Sequence, residues 1–105
     1  MNWKTRQNQQ LVQAFLALET TPEAQQFLRD LMTESEITEF GKRLEAARLL
    51  SKQTSYAVVQ KQTGLSSTTV ARVSKWLTGS LGGYRLVLDR LRHYSSVATG
   101  DRGMR

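Results

Sequence analysis

Cysteine is absent from the 105-residue chain, which excludes disulfides and thiolate metal sites. Histidine occurs once, as His93. A lone imidazole has no second ring with which to share a metal, so His93 reads as an ordinary surface or helix-end residue and no metal site is expected. There is one proline and no run of alternating apolar and polar residues, which argues against sheets and for an all-α chain. The best apolar run, Leu11–Leu18, is too short and interrupted to cross a bilayer. No signal-peptide cleavage pattern follows it, so a cytoplasmic chain without a membrane partner is expected. A paired-carboxylate site, a nucleophile triad and a phosphate loop are all missing, and the chain does not read as an enzyme.

Acid is scarce in the second half. The net charge is +6, but residues 1–51 hold six Lys/Arg and seven Asp/Glu, a net of −1, while residues 52–105 hold nine and two, a net of +7. Such asymmetry is the electrostatic footprint of a face that meets a polyanion. Anionic lipid ranks below nucleic acid, because no basic helix with exposed large apolar residues is evident.

The organising stretch is Ser55–Leu77, SYAVVQKQTGLSSTTVARVSKWL. It reads as two short helices around a tight turn. Ser55 is placed to cap the first, over about Tyr56–Gln62. Thr63-Gly64-Leu65 breaks it, with Gly64 suited to a left-handed helix end. Ser66 or Ser67 caps the second helix, which runs to Leu77. Val59, Leu65, Val70 and Val73 supply a small core, with the last two sharing a face at three-residue spacing. Ser67, Thr68, Ala71, Arg72 and Lys75 are left for other faces. This is a helix-turn-helix pattern whose short polar and cationic side chains suit base edges and phosphates. Lys52, Lys61, Arg72 and Lys75 are expected on phosphates, with Ser55, Ser66 and Ser67 near helix starts. Ser67, Thr68 and Thr69 are expected at base edges, joined by Gln60, which suits adenine, while Thr69 suits a thymine methyl.

Around this stretch the pattern predicts about six helices in a single domain over 1–105. A first helix covers about Gln7–Glu19, with Leu11, Phe15 and Leu18 in its stripe. A second starts with Thr21 as cap and Pro22 in the first turn, and buries Phe27, Leu28 and Leu31. Thr33 opens the longest helix, with Glu36 at capping-box spacing, and its expected buried stripe is Ile37, Phe40, Leu44, Ala47 and Leu50. Gly41 in mid-helix costs about 1 kcal/mol against alanine, which suggests either close approach of another helix or a tolerated accident. That helix should end near Ser51. Residues 7–51 hold more apolar surface than one small chain covers, and are read as a helical dimerisation core. After a glycine-rich loop, a C-terminal helix is expected over 84–95 (about Tyr84–Tyr94 at its most regular) and a flexible basic tail over 97–105.

From Thr33 to Leu91 the chain resembles the Trp repressor superfamily, and more closely its YerC/YecD-type repressor-like branch. The residues that carry the resemblance are Leu31-Met32-Thr33, Gly41-Lys42-Arg43-Leu44, Thr63-Gly64-Leu65-Ser66, Thr68-Thr69-Val70-Ala71-Arg72-Val73, and Gly83-Tyr84 with Val87-Leu88-Asp89-Arg90-Leu91. The resemblance implies an all-α, intertwined homodimer with two helix-turn-helix heads, binding double-stranded DNA as a transcriptional regulator of the repressor type. It also implies that Thr33, Arg43 and Arg72 match the threonine and two arginines that hold tryptophan in the repressor. Val73 stands where the repressor has glycine. Its two methyl groups would intrude on a flat ligand, so no cofactor is expected and DNA binding should need no tryptophan. Two alternatives stay open: a DNA-binding module of replication or recombination machinery, and a helical dimerisation protein without DNA binding. The +7 half argues against the latter.

Overall fold

The computed structural model describes residues 1–100, with side chains described up to position 93. The described residues form six helices and no strand, so the all-α expectation holds: α1 (Arg6–Leu16), α2 (Thr21–Leu31), α3 (Glu34–Ser51), α4 (Tyr56–Thr63), α5 (Ser67–Leu77) and α6 (Gly83–Gly100). Two compact units divide them, Met1–Ile37 and the remainder from Thr38 onward. The segment 7–51, read as a dimerisation core, crosses that division.

In the first unit, the Thr5 hydroxyl accepts from the Asn8 N–H at 3.2 Å and caps α1. Thr20 caps α2 by accepting from the Glu23 N–H. The cap is thus one residue earlier than the Thr21 assignment, and α1 stops at Leu16 rather than reaching Glu19. Phe15 and Phe27 meet edge to face, with centroids 5.6 Å apart, an arrangement that the ring quadrupoles favour. Neither helix has a fully buried residue. At the start of α3, the Glu36 N–H donates to the Thr33 hydroxyl at 3.1 Å and the Thr33 N–H donates to the Glu36 carboxylate at 2.9 Å. The capping box read from the sequence is present.

The second unit is built on one cluster: Ala46, Ala47 and Leu49 of α3, Val59 of α4, Leu65 of the turn, and Val70 and Val73 of α5. Leu50, Tyr84 and Leu88 pack against it. Val59, Val70 and Val73 are fully buried, each contributing about 1.5–3 kcal/mol relative to exposure. The buried face of α3 therefore differs from the expected stripe. Ala46 and Leu49 join Ala47, while Phe40 is 44% exposed. Ala46 and Ala47 are fully buried in one cluster with the valines of the head, and Phe40 falls to the side. A Cβ placed on Gly41 meets nothing within 4 Å, so the close approach expected there does not occur among the described residues.

The α3–α4 connection is a Schellman-type end. The Thr54 N–H donates to the Leu49 carbonyl and the Gln53 N–H to the Leu50 carbonyl, with Gln53 left-handed at φ 65. The last helix is longer than the expected 84–95 and starts at Gly83. It reaches Gly100, so positions 97–100 of the expected tail are helical; 101–105 lie outside the described residues.

Candidate nucleic-acid interface

The site is the pair α4 and α5 with the turn between them. Ser55 caps α4, its hydroxyl accepting from the Val58 N–H. Gly64 ends α4 at φ 77 and donates to the Gln60 carbonyl at 2.8 Å. Thr63, expected in the break, is instead the last residue of α4 and is buried. Its hydroxyl donates to the Val59 carbonyl at 2.7 Å and accepts from the Leu65 N–H at 3.2 Å, so it closes the helix and ties down the turn. Ser66, not Ser67, is the cap of α5. It accepts from the Thr69 N–H at 3.1 Å, and its own hydrogen goes to the Thr69 hydroxyl.

With Val59, Leu65, Val70 and Val73 inside, the outward face follows. Thr68, Arg72 and Lys75 lie at i, i+4 and i+7 on α5, which places them in one stripe, and all three are exposed, as are Ser67 and Ala71. Ser55, Lys61 and Ser66 are exposed, whereas Gln60 and Thr69 are partly buried. Lys52 is exposed just ahead of α4. Residues 55–77 contain no acid, and among the described residues Lys52, Lys61, Arg72 and Lys75 make no ion pair. The first turns of α4 and α5 carry no acid, while those of α2 and α3 do. The positive helix ends of the head are thus left without a protein counter-charge.

Sequence reasoning missed Lys42. Its ammonium lies 3.9 Å from where a Cβ on Gly64 would stand, which brings a cation from α3 to the helix-turn-helix turn. Nothing in the spacing of α3 marks it, because the contact depends on tertiary placement.

The residues matched to a ligand pocket are used differently. Thr33 lies in the first unit, where its hydroxyl serves the capping box. Arg72 is exposed on α5. Arg43 is held by its neighbours: its guanidinium lies over the Phe40 ring at 5.4 Å and over the Trp76 ring at 5.9 Å. Glu39 approaches its Nε at 3.5 Å, near enough to pair charge, yet Nε is buried without a hydrogen-bond partner. Burial pushes the Tyr84 phenol above its ordinary value, and the Arg43 charge pulls against that. A groove of about 650 Å³ opens beside these groups, walled by Leu44, Lys75, Trp76, Tyr84 and Val87 among others. Val73 is fully buried. No group of His, Asp and Glu able to hold a metal occurs among the described residues, and no described helix is long and apolar enough to cross a membrane.

Residues 6–92 match the family model described as Trp repressor protein. The chain is 35% identical over 83 residues to a Bacillus subtilis (strain 168) protein described as uncharacterized protein YerC, covering 79% of this chain and 80% of the relative. Among solved structures, a TrpR-like protein from Eubacterium eligens ATCC 27750 superposes with a TM-score of 0.80 at 36% identity, over 85% of this chain and 92% of that one. A candidate Trp repressor from Staphylococcus aureus gives a TM-score of 0.80 at 30% identity, over 88% and 95%. With a helix-turn-helix head in place and the match running through nearly every described helix, the chain belongs to the Trp repressor family, in its YerC-like branch, a family of helical DNA-binding regulators and not of enzymes.

Proposed function

We propose that this protein is a sequence-specific transcriptional regulator of the repressor type, which binds duplex DNA as a homodimer with α5 in the major groove. One observation carries the reading: α5 turns Val70 and Val73 inward and leaves Ser67, Thr68, Arg72 and Lys75 outward, in a segment without acid. Arg72, Lys75 and Lys61 suit phosphates, with Lys52 and the Ser55 end of α4 flanking them. Ser67 and Thr68, at the start of α5, suit base edges, with Thr69 and Gln60 beside them. Ser66 supports the site as the cap of the reading helix. Lys42, at the turn, adds a phosphate contact outside the helix-turn-helix segment.

Selection from random duplexes should return a two-fold symmetric site, since two heads read two half-sites. Affinity for that site should fall with salt by a log–log slope of about −0.9 per neutralised phosphate. Lys75→Ala should weaken binding to all sequences and flatten the slope by about one. A slope unmoved by the substitution would remove Lys75 from the interface, and an absence of duplex binding at low salt would overturn the reading.

A further inference from the structure

Trp76 is the penultimate residue of α5 and is 45% exposed. A large aromatic on a reading helix is not required by the core, which is complete with Val70, Val73 and Leu77. Its indole instead meets the guanidinium of Arg43, a residue of α3, and the same guanidinium lies over Phe40 one turn back on α3. Arg43 is poorly served by other partners. Its Nε has no hydrogen bond and Glu39 stands off at 3.5 Å. The ring faces therefore add to the charge pairing with Glu39, and a guanidinium lies over a tryptophan face more favourably than over other rings.

The contact sits where α5 needs an anchor. The outward residues Ser67, Thr68 and Arg72 occupy the first turns and the middle of the helix, and Trp76, one turn beyond Arg72, stands at its C-terminal end. Beside Trp76, the Arg85 guanidinium donates to the Leu77 carbonyl, which closes the C-terminal end of α5 against α6. Ala46, Ala47 and Leu49 provide the buried share of α3 in the core, and the two alanines are short side chains that grip little against rotation or sliding of α5. The stack adds a directional contact between these two helices.

We infer that Trp76 is a positioning residue for DNA recognition: by its contact with the Arg43 guanidinium it fixes the C-terminal end of α5 to α3, so that the head is set for the major groove by the chain's own indole. The inference rests on the DNA-binding reading above. It also accounts for Arg43 without a soluble ligand, because its ring-facing surface is already occupied by Phe40 and Trp76.

The test uses the full chain carrying Trp3→Phe, which leaves Trp76 as the only tryptophan. Trp76→Ala should lower duplex affinity roughly 3- to 30-fold, the range open to a partly desolvated cation–π contact, while leaving the salt slope unchanged, because no phosphate contact is lost. Trp76→Phe keeps a ring for Arg43 and should restore most of the affinity. Arg43→Met should shift Trp76 emission to longer wavelength and raise its quenching by acrylamide, and Arg43→Lys should recover part of both. Folded Trp76→Ala protein that binds as tightly as its parent overturns the inference. Should Trp76→Ala not fold, the emission decides: a Trp76 spectrum and quenching indifferent to Arg43→Met overturn it equally. If the parent itself binds no duplex, the DNA-binding reading fails, and the emission series still shows whether the stack exists.

Discussion

Val73 concentrates the consequences of a single residue. It is fully buried between α3 and the rest of the head, at the position where the resembling repressor has glycine. Val73→Gly removes that contact and places glycine inside α5. The glycine costs about 1 kcal/mol, and the lost apolar burial adds roughly 1–3 kcal/mol. Urea unfolding should show a midpoint lowered accordingly with m little changed. Calorimetric titration of the unmodified protein with tryptophan should show no micromolar binding. Micromolar binding that tightened the protein on DNA would mean that this side chain leaves the pocket open.

At the scale of elements, α5 begins on a hydroxyl cap with no acid in its first turn. Two roles meet at Ser66 and can be separated. Ser66→Ala removes the cap and should cost about 1 kcal/mol. Ser66→Asp keeps an acceptor for the Thr69 N–H, so thermal unfolding should stay close to the parent, yet it sets a negative charge where phosphate is to bind. Duplex affinity should then fall for Ser66→Asp by more than for Ser66→Ala; the reverse order would place the start of α5 away from the DNA backbone. The α4–turn–α5 segment was the most legible part of the sequence, because its signals are local: a Ser55 cap, a glycine that tolerates positive φ, and valines at helical spacing. The face of α3 was less legible. Its apolar residues nearly encircle the helix, and the choice of Ala46 and Leu49 over Phe40 depends on what the neighbouring helices need. Lys42 and Trp76 escaped for the same reason, since each acquires its setting from a residue distant in the chain. Thr63 escaped because threonine at a helix end has no single meaning until its carbonyl and N–H partners are known.

On the scale of the whole molecule, the core is small and the apolar surface large. The buried apolar residues are Ala46, Ala47, Leu49, Val59, Leu65, Val70, Val73 and Leu77, and none lies in α1 or α2. Leu16 is 72% exposed, and Leu11, Val12, Phe15 and Leu31 are each at least 40% exposed. Surface of that kind marks an interface, and a chain of this size gains most from a partner. Sedimentation equilibrium at micromolar concentration should give a dimer, and Phe15→Asp should shift it toward monomer; a folded monomer in the unmodified protein would refute the assignment. The head differs in this respect, and the difference extends to time. All seven clustered core side chains fall between positions 46 and 73. Contacts so near in sequence close with little loop entropy, and helical chains rich in them fold on the order of microseconds to milliseconds. Synthesis adds residues far more slowly than that. The core of the reading head can therefore close as soon as its residues are free of the ribosome, ahead of the slower association that the proposed dimer would require of α1 and α2.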